Sequence, residues 1–360
     1  MSGATVVAAA PAAPARTALD RLRHPLARPL LALALLLLLD FALVPGFFHL
    51  AVKDGHLYGS LVDIANRAAP LMLAAIGMTL VIATRGIDIS VGAVVALSGT
   101  VAAVLVGGTM VVENGVPAYV SRFPMGWALA AALGSAVLCG AWNGFLVAGL
   151  KLQPIVATLI LMVGGRGLAQ LITDGQIVTV YYQPFFFLGS GYLFGLPCAL
   201  FIVAIVLAAT AILLHKTALG LFIQAIGMNP VAARLAGVRT AALTFFVYVF
   251  CSACAGVAGL MISSNIKSAD ANNAGLLLEL DAILAVTLGG TLLAGGSFSL
   301  AGSVVGALII QTLTYTIYAM GVAPEVNMVV KAVVVFLVCL SQSAPFRQGL
   351  RRVFVRGEAA

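Results

Sequence analysis

Residues 69–110 read APLMLAAIGMTLVIATRGIDISVGAVVALSGTVAAVLVGGTM, and this stretch decides the fold class. It holds two apolar runs, 69–84 and 87–110, separated only by Arg85 and Gly86. A helix needs about 20 largely apolar residues to cross a bilayer, so the stretch predicts two membrane helices joined by a tight turn. The whole chain has the same character, because 62% of its residues are hydrophobic and 9% are charged. Soluble domains contain about 45–50% and 25%, so this is an integral membrane protein.

Similar apolar runs recur along the chain and predict ten membrane helices. They are expected at 29–48, 69–84, 87–110, 126–150, 155–173, 194–215, 243–264, 277–294, 300–320 and 326–343. An even number places both termini on one side. With that side cytoplasmic, 13 of the 19 Lys and Arg residues lie inside and four outside, as the positive-inside rule requires. The expected fold class is therefore an all-α integral membrane protein with both termini in the cytoplasm.

The chain divides into a membrane domain and two tails. Residues 1–27 are Ala- and Pro-rich and predict a disordered cytoplasmic tail. Residues 28–345 form the polytopic transmembrane domain, and 346–360 form a basic cytoplasmic tail. Glycine-containing breaks at 86–92 and 289–296 separate apolar runs. They are interpreted either as ordinary turns or as broken, re-entrant segments that line a pathway, as in transporters.

The longest predicted cytoplasmic connection, 216–242, contains a short helix with a start and a stop. Asn229 suits the N-cap, Pro230 the first helical position, and Gly237 the residue beyond the C-cap. A helix of about 230–236 is too short to span lipid. It is either a connector or, the favoured interpretation, a docking helix for a cytoplasmic partner, since a rigid helix can transmit a push.

Motifs for chemistry are absent from the sequence. There is no G-x-x-x-x-G-K-[ST] phosphate loop, so the chain is not expected to hydrolyse ATP. No nucleophile elbow and no H-E-x-x-H motif occurs, which argues against a membrane enzyme. Cys251 and Cys254 form one C-x-x-C inside a predicted membrane helix, but it has no second pair and no nearby His, so no metal site is predicted.

Four runs of residues resemble a known family. The runs 75–92 (AIGMTLVIATRGIDISVG) and 225–237 (AIGMNPVAARLAG) resemble the permeases of bacterial ABC importers for ribose, arabinose, xylose and galactosides. The runs 151–167 (KLQPIVATLILMVGGRG) and 269–285 (ADANNAGLLLELDAILA) are similar to one of the two permease subunits of the galactofuranose importer. The resemblance covers roughly residues 30–345. Arg85 stands where the family commonly has Gly.

The resemblance implies a subunit of a larger complex in the bacterial inner membrane. A periplasmic sugar-binding protein would deliver a monosaccharide, with galactofuranose the first expectation and another pentose or hexose the next. A second permease subunit, which is expected to be a different homologous chain, would complete the path. A cytoplasmic ATP-binding subunit would bind ATP and Mg and drive alternating access, so this chain carries no cofactor. Residues 227–237 match the family's ATPase-contacting loop, and this match implies that the coupling positions are Gly227, Asn229, Arg234 and Gly237.

Polar side chains at membrane depth are candidates for the sugar pathway. Thr158, Arg166 and Gln170 are spaced by multiples of four and lie on one helix face. Their hydrogen-bonding groups suit a hydroxyl-rich sugar, although Arg166 alternatively pins helices to a carbonyl or carboxylate. Asn272 and Asn273 are expected at the outer mouth, either as a solvated loop or as a sugar-receiving site.

Glu279 and Asp281 are two residues apart, so on a helix they point to nearly opposite faces. One is expected to face the pathway or the outer water, and Glu279 is assigned that role. Lys331 reaches a similar depth and is predicted to pair with Asp281 or Glu279, which leaves Arg166 for the pathway. These two carboxylates and Asp40 of the first helix, for which no partner is expected, support the alternative function, an ion-coupled secondary sugar transporter that acts alone.

Overall fold

The computed structural model describes residues 26–53, 55–113 and 116–342 of the protein. The predicted tail 346–360 lies outside these residues, and so does the predicted tail 1–27 apart from its last two positions. The described part is mostly helical, and every one of the ten apolar runs overlaps a helix. The helical membrane-protein class predicted from the sequence is therefore confirmed.

The helices are numbered along the chain and those of six residues or more carry labels. They are α1 (Ala27–Leu43), α2 (Ser60–Ala83), α3 (Val91–Val106), α4 (Met125–Gly144), α5 (Pro154–Ile172), α6 (Cys198–Lys216), α7 (Leu219–Met228), α8 (Pro230–Leu235), α9 (Thr240–Ile266), α10 (Leu278–Leu288), α11 (Leu300–Ala319) and α12 (Pro324–Gln342). One turn of π-helix, Phe145–Gly149, continues α4, and two further short turns are Gln183–Phe186 and Phe187–Ser190. Among the described residues, six helices are long and apolar enough to cross a membrane, namely α2, α4 with its π-turn, α5, α6, α9 and α11.

Short strands of two to five residues lie in the connections between the helices. They are β1 (Ala51–Lys53), β2 (His56–Tyr58), β3 (Thr109–Glu113), β4 (Val116–Val120), β5 (Val178–Thr179), β6 (Tyr192–Leu193), β7 (Leu196–Pro197) and β8 (Ser268–Ala269). All pairs are antiparallel: β1 with β2, β3 with β4, β6 with β7, and β5 with β8. Between β6 and β7, Phe194 and Gly195 both have positive φ, as a two-residue hairpin turn requires.

The two glycine-containing breaks are real interruptions of helical structure. Helix α3 begins at Val91 rather than at 87, and α10 ends at Leu288 rather than at 294. Helix α10 stops there because Gly290 adopts a φ of +88°, which L-residues rarely adopt. At about 1.5 Å per residue, its 11 residues are about half as long as a bilayer core is thick.

The core is built around α2 and α9. Helix α2 begins nine residues earlier than predicted, and it is buried almost continuously from Ala68 to Ala83. Its additional first turns carry an ion pair, in which Arg67 Nε lies 3.0 Å from Asp63 Oδ2. Helix α9 packs against α2, α3 and α4, and α11 packs against α2 and α10. In the structure the two breaks between helices span 84–90 and 289–299. Both lie next to this core.

Glycines set how closely the core helices approach. A Cβ on Gly77 of α2 would lie 2.8 Å from the Cα of Cys251 on α9. A Cβ on Gly140 of α4 would lie 2.7 Å from the Cα of Val249, also on α9. Contacts under 3.0 Å force a shift of backbone, so only Gly allows these crossings. Small residues at helix contacts are the usual means of close packing in lipid, where apolar side chains gain little by meeting each other.

Two substitutions on α4 test this packing. Gly140→Ala should destabilise the protein by about 1–3 kcal/mol, because the added methyl group meets the backbone of α9. Gly134→Ala is the matched control, since Gly134 is exposed on the same helix and has nothing within 4 Å of a Cβ. It should leave stability unchanged or raise it by up to about 1 kcal/mol. Thermal unfolding of the purified variants in detergent measures both, and equal melting temperatures would contradict the packing.

Candidate coupling site and polar clusters

The short helix α8 is closed at both ends by local interactions. The Asn229 side chain accepts hydrogen bonds from the backbone N–H groups of Val231 and Ala232, at 3.0 and 3.1 Å. At the other end Gly237 has a φ of +86°, and its N–H donates to Arg234 O while the Val238 N–H donates to Ala233 O. This pair of bonds is the Schellman motif. The predicted capped helix is confirmed, one residue shorter at its C-terminus.

An apolar stripe lies exposed along this segment. Met228, Val231 and Leu235 are 70%, 66% and 85% exposed. The last two are four residues apart on α8 and therefore share a face. Arg234 is exposed beside them. Helices α7 and α8 have 10 and 6 residues, which are too few to span a bilayer. The exposed stripe is therefore not expected to lie in the hydrocarbon core of the bilayer.

Three segments that are far apart in sequence meet at Gly227, and we call this meeting point the glycine junction. A Cβ on Gly227 would collide with the carbonyl oxygen of Ala83 and with the amide nitrogen of Gly296. The Gly296 N–H in turn donates to Ala83 O at 2.9 Å. The end of α2, the end of α7 and the break 289–299 are thus locked together. Gly227, a predicted coupling position, is where the contact is tightest.

Arg85 strengthens the same junction from the surface. Its φ is +64°, in the left-handed region, which Gly adopts without strain and an L-residue rarely adopts. Its side chain donates from Nε to Gly227 O at 2.5 Å and from Nη2 to Met228 O at 2.6 Å. These are the last carbonyl groups of α7, which have no partner within the helix. The sequence assigned no role to Arg85.

The break 84–90 contains a buried polar cluster. The Asp88 carboxyl is completely buried, and its Oδ1 accepts the Ser90 backbone N–H at 2.9 Å and the Ser90 hydroxyl at 2.6 Å. Asn143 Nδ2 donates to Ser90 Oγ at 2.8 Å. Thr158, predicted to face the pathway, is also fully buried, and its Oγ1 accepts the Ile89 N–H at 3.2 Å. These side chains supply the hydrogen bonds that the non-helical backbone lacks.

Arg166 and Gln170 of α5 hold the segment that precedes α10. Arg166 Nη1 donates to the carbonyl groups of Ala271 and Asn272, at 3.2 and 2.7 Å. Gln170 Nε2 donates to Asn272 Oδ1 at 2.7 Å. In this conformation Arg166 therefore pins a helix to carbonyls, the alternative weighed from the sequence.

Asp270 organises the same segment. Its Oδ2 accepts the Asn273 side-chain amide at 2.7 Å, and its Oδ1 accepts the backbone N–H groups of Asn272 and Asn273. These three hydrogen bonds fix the turn that carries Asn272 and Asn273, the two residues expected at the outer mouth.

The two acids of α10 have different environments, as their spacing predicts. Glu279 is 3% exposed and lies against Gly92, where a Cβ would overlap its carboxylate. Asp281 is part-buried, and Lys331 Nζ lies 2.6 Å from its Oδ2, one of the two pairings that the sequence predicts. Asp40 of α1, which had no expected partner, is fully buried and accepts the Thr316 hydroxyl at 2.5 Å.

A cavity of about 250 Å³ was missed by the sequence reasoning. It lies between the predicted outer parts of α2, α9 and α11, and its polar lining is Asn66, Arg67, Asn265 and Gln311. It is smaller than the roughly 300–1,000 Å³ of pockets for drug-sized ligands, which suits a small ligand. The four polar lining residues share one feature that is visible in the sequence, which is a polar group in the outer part of an apolar helix.

The packed apolar helices and their breaks fit a membrane permease, and comparison with known proteins shows this class. The chain belongs to the family described as branched-chain amino acid transport system / permease component, whose model matches residues 60–339. The family and the apolar helices together place the chain in the inner membrane with multiple passes. No metal-binding group of three or more His, Cys, Asp or Glu residues occurs in the part that the structure describes.

Three similar proteins are permeases for sugars. The chain is 52% identical over 328 residues to the galactofuranose transporter permease protein YtfT of Escherichia coli K12, covering 91% of this chain and 92% of that protein. It is 38% identical to the fructose import permease protein FruF of Bifidobacterium longum, over 81% and 79%. It is 37% identical to the ribose import permease protein RbsC of Escherichia coli K12, over 87% and 92%. The resemblance to sugar-importer permeases is confirmed. No solved structure matches the chain significantly.

The Asp281–Lys331 pair generates a stability prediction. Lys331→Met should destabilise the protein by about 1–3 kcal/mol, because Asp281 is then a part-buried charge without its partner. Adding Asp281→Asn should restore much of the loss. Arg67→Met is the control, since its pair with Asp63 is far more exposed and is worth at most about 1 kcal/mol. Thermal unfolding of the three variants measures these changes in stability. A double variant no more stable than Lys331→Met alone would contradict the pairing.

Proposed function

We propose that this chain is the translocating permease subunit of an ATP-driven importer that moves a monosaccharide into the cytoplasm by alternating access. The observation that carries the proposal is the 52% identity to a galactofuranose permease across 91% of the chain. Galactofuranose is therefore the first substrate to test, and another hexose or a pentose comes next, since fructose and ribose permeases are also similar. The chain itself is a translocation subunit and not an enzyme.

The proposed topology has ten spans with both termini in the cytoplasm. Six spans are the long apolar helices, and α1, α3, α10 and α12 supply the other four. Helices α3 and α10 are short, and each is completed by non-helical segments, 84–90 for α3 and 267–277 with 289–299 for α10. Such broken spans are tolerated where protein surrounds the backbone. The distribution of Lys and Arg supports this orientation.

The proposed partners follow from the surfaces of the chain and from its family. A cytoplasmic ATPase, which binds ATP and Mg, is proposed to dock on α8 and the end of α7, where Val231, Leu235 and Met228 are exposed. Asn229, Arg234 and Gly237 shape this surface, and Gly227 anchors it. A periplasmic sugar-binding protein would dock on the opposite side. A second, different permease subunit is proposed from the resemblance to the galactofuranose importer.

The proposed sugar pathway combines two groups of polar side chains. One comprises the predicted positions Thr158, Arg166, Gln170, Asn272, Asn273 and Glu279. Here they are occupied by contacts within the protein, so a movement that separates α5 from 267–277 would free the donors of Arg166 and Gln170 for sugar hydroxyls. The other comprises Asn66, Asn265 and Gln311 around the cavity. Amide groups both donate and accept, which suits a neutral polyhydroxylated ligand.

Uptake into proteoliposomes tests the function. The permease is reconstituted with its ATPase and second permease, with binding protein outside and ATP inside, and entry of labelled galactofuranose is measured. Uptake should require every partner and ATP. Vesicles that contain this chain alone, with an imposed proton or sodium gradient, are the control. Uptake by the chain alone would instead establish the ion-coupled alternative.

Docking of the ATPase is tested at Leu235. Leu235→Ser should weaken binding of the ATPase subunit about 10- to 100-fold, because burial of a Leu side chain is worth about 1.5–3 kcal/mol. Leu193→Ser in β6 is the matched control, since that leucine is also exposed but lies on the opposite side of the proposed topology. Retention of the ATPase by tagged permease measures the effect. Equal retention by both variants would move the docking site away from α8.

A further inference from the structure

Arg85 occupies a backbone conformation that its own side chain disfavours. A left-handed conformation with a φ of +64° brings the Cβ of an L-residue too close to the backbone, whereas Gly adopts it freely. A compensating interaction is therefore expected, and the side chain provides it. The guanidinium donates through Nε and Nη2 to two successive carbonyl groups, those of Gly227 and Met228. A cation at the C-terminus of a helix is also favoured by the helix dipole.

These two carbonyl groups lie directly before the docking helix. Met228 is followed by Asn229, the N-cap of α8, so Arg85 holds the joint between α7 and α8. The backbone of Arg85 belongs to the break 84–90, which leads through Asp88 to α3. Arg85 also covers Gly295, where a Cβ would lie 2.5 Å from Arg85 Cγ. One side chain thus links α2, the joint before α8, and both breaks.

We propose that Arg85 is a positioning residue for energy coupling, which transmits movement of the docked α8 to the membrane breaks. This inference rests on the proposed function. The two parallel donors of a guanidinium fix the orientation of the α7–α8 joint as well as its distance, whereas an ammonium group would act as a point charge. A displacement of α8 therefore turns the break 84–90, and with it the start of α3, instead of being absorbed at the joint.

The proposal is tested with Arg85→Gly, a change that removes the side chain and relieves the backbone. Lys151→Gly is the matched control, because Lys151 is also exposed at a helix connection, has a φ of +59° and has no side-chain hydrogen bond among the described residues. Arg85→Lys is a graded variant. The complex is reconstituted, and the readout is sugar transported per ATP hydrolysed, beside the amount of assembled complex and its melting temperature.

Arg85→Gly should lower the transport-to-hydrolysis ratio at least about tenfold without loss of assembly or stability. Arg85→Lys should be intermediate, and Lys151→Gly should match the native chain. An unchanged ratio in Arg85→Gly, with or without less complex, overturns the proposal, because a merely structural contact lowers transport and hydrolysis together.

A second measurement separates this inference from the proposed function. Amide hydrogen exchange of Met228, Asn229, Val231 and Ala232 in the permease alone should be at least about tenfold faster in Arg85→Gly than in Lys151→Gly. Equal exchange overturns the clamp on the joint whatever the transported substrate is. If exchange rises but the native complex transports no sugar, the clamp stands and the proposed function fails.

Discussion

Non-helical backbone inside a hydrocarbon layer must find its hydrogen-bond partners within the protein, and the rest of this structure depends on that constraint. Three interrupted segments meet it in different ways. The break 84–90 uses the side chains of Asp88 and Thr158. The segment before α10 has two carbonyl groups bound by Arg166. The break 289–299 donates through Gly296 to the end of α2. Glycine is required where these segments touch, because the backbones are too close for a side chain.

The same contacts explain how an external helix belongs mechanically to the membrane domain. Helix α8 is too short to bury itself, and its capping by Asn229 and Gly237 keeps it rigid. Its foundation is the glycine junction, where Gly227 lies against the end of α2 and against the break 289–299. The proposed push of a partner on the exposed face of α8 would therefore reach the interrupted helices directly. The predicted coupling positions thus lie where the helices are discontinuous, which supports the proposed role of α8.

The sequence predicted the features that depend on neighbouring residues in the chain or on the thickness of the surrounding lipid. Apolar runs located the helices, the capping residues located α8, and depth along the helices paired Lys331 with an acid. The glycine junction could not be predicted, since it joins residues near 83, 227 and 296 and its glycines resemble ordinary turn glycines. Arg85 was visible only as a departure from Gly. The small sheets and the cavity around Gln311 depend on which helix ends meet. The amino-acid sequence alone does not show these long-range contacts.

The central claim is that the breaks are buried, hydrogen-bonded parts of the membrane domain. Residue-resolved amide hydrogen exchange of the permease in lipid nanodiscs tests it most directly, at four amides of the breaks that have defined acceptors: Ile89, Ser90, Gly296 and Ser299. The account predicts that all four exchange as slowly as the interior amides of α2, although none of them lies inside a helix. Exchange as fast as that of the exposed turn at Gly55 would contradict it.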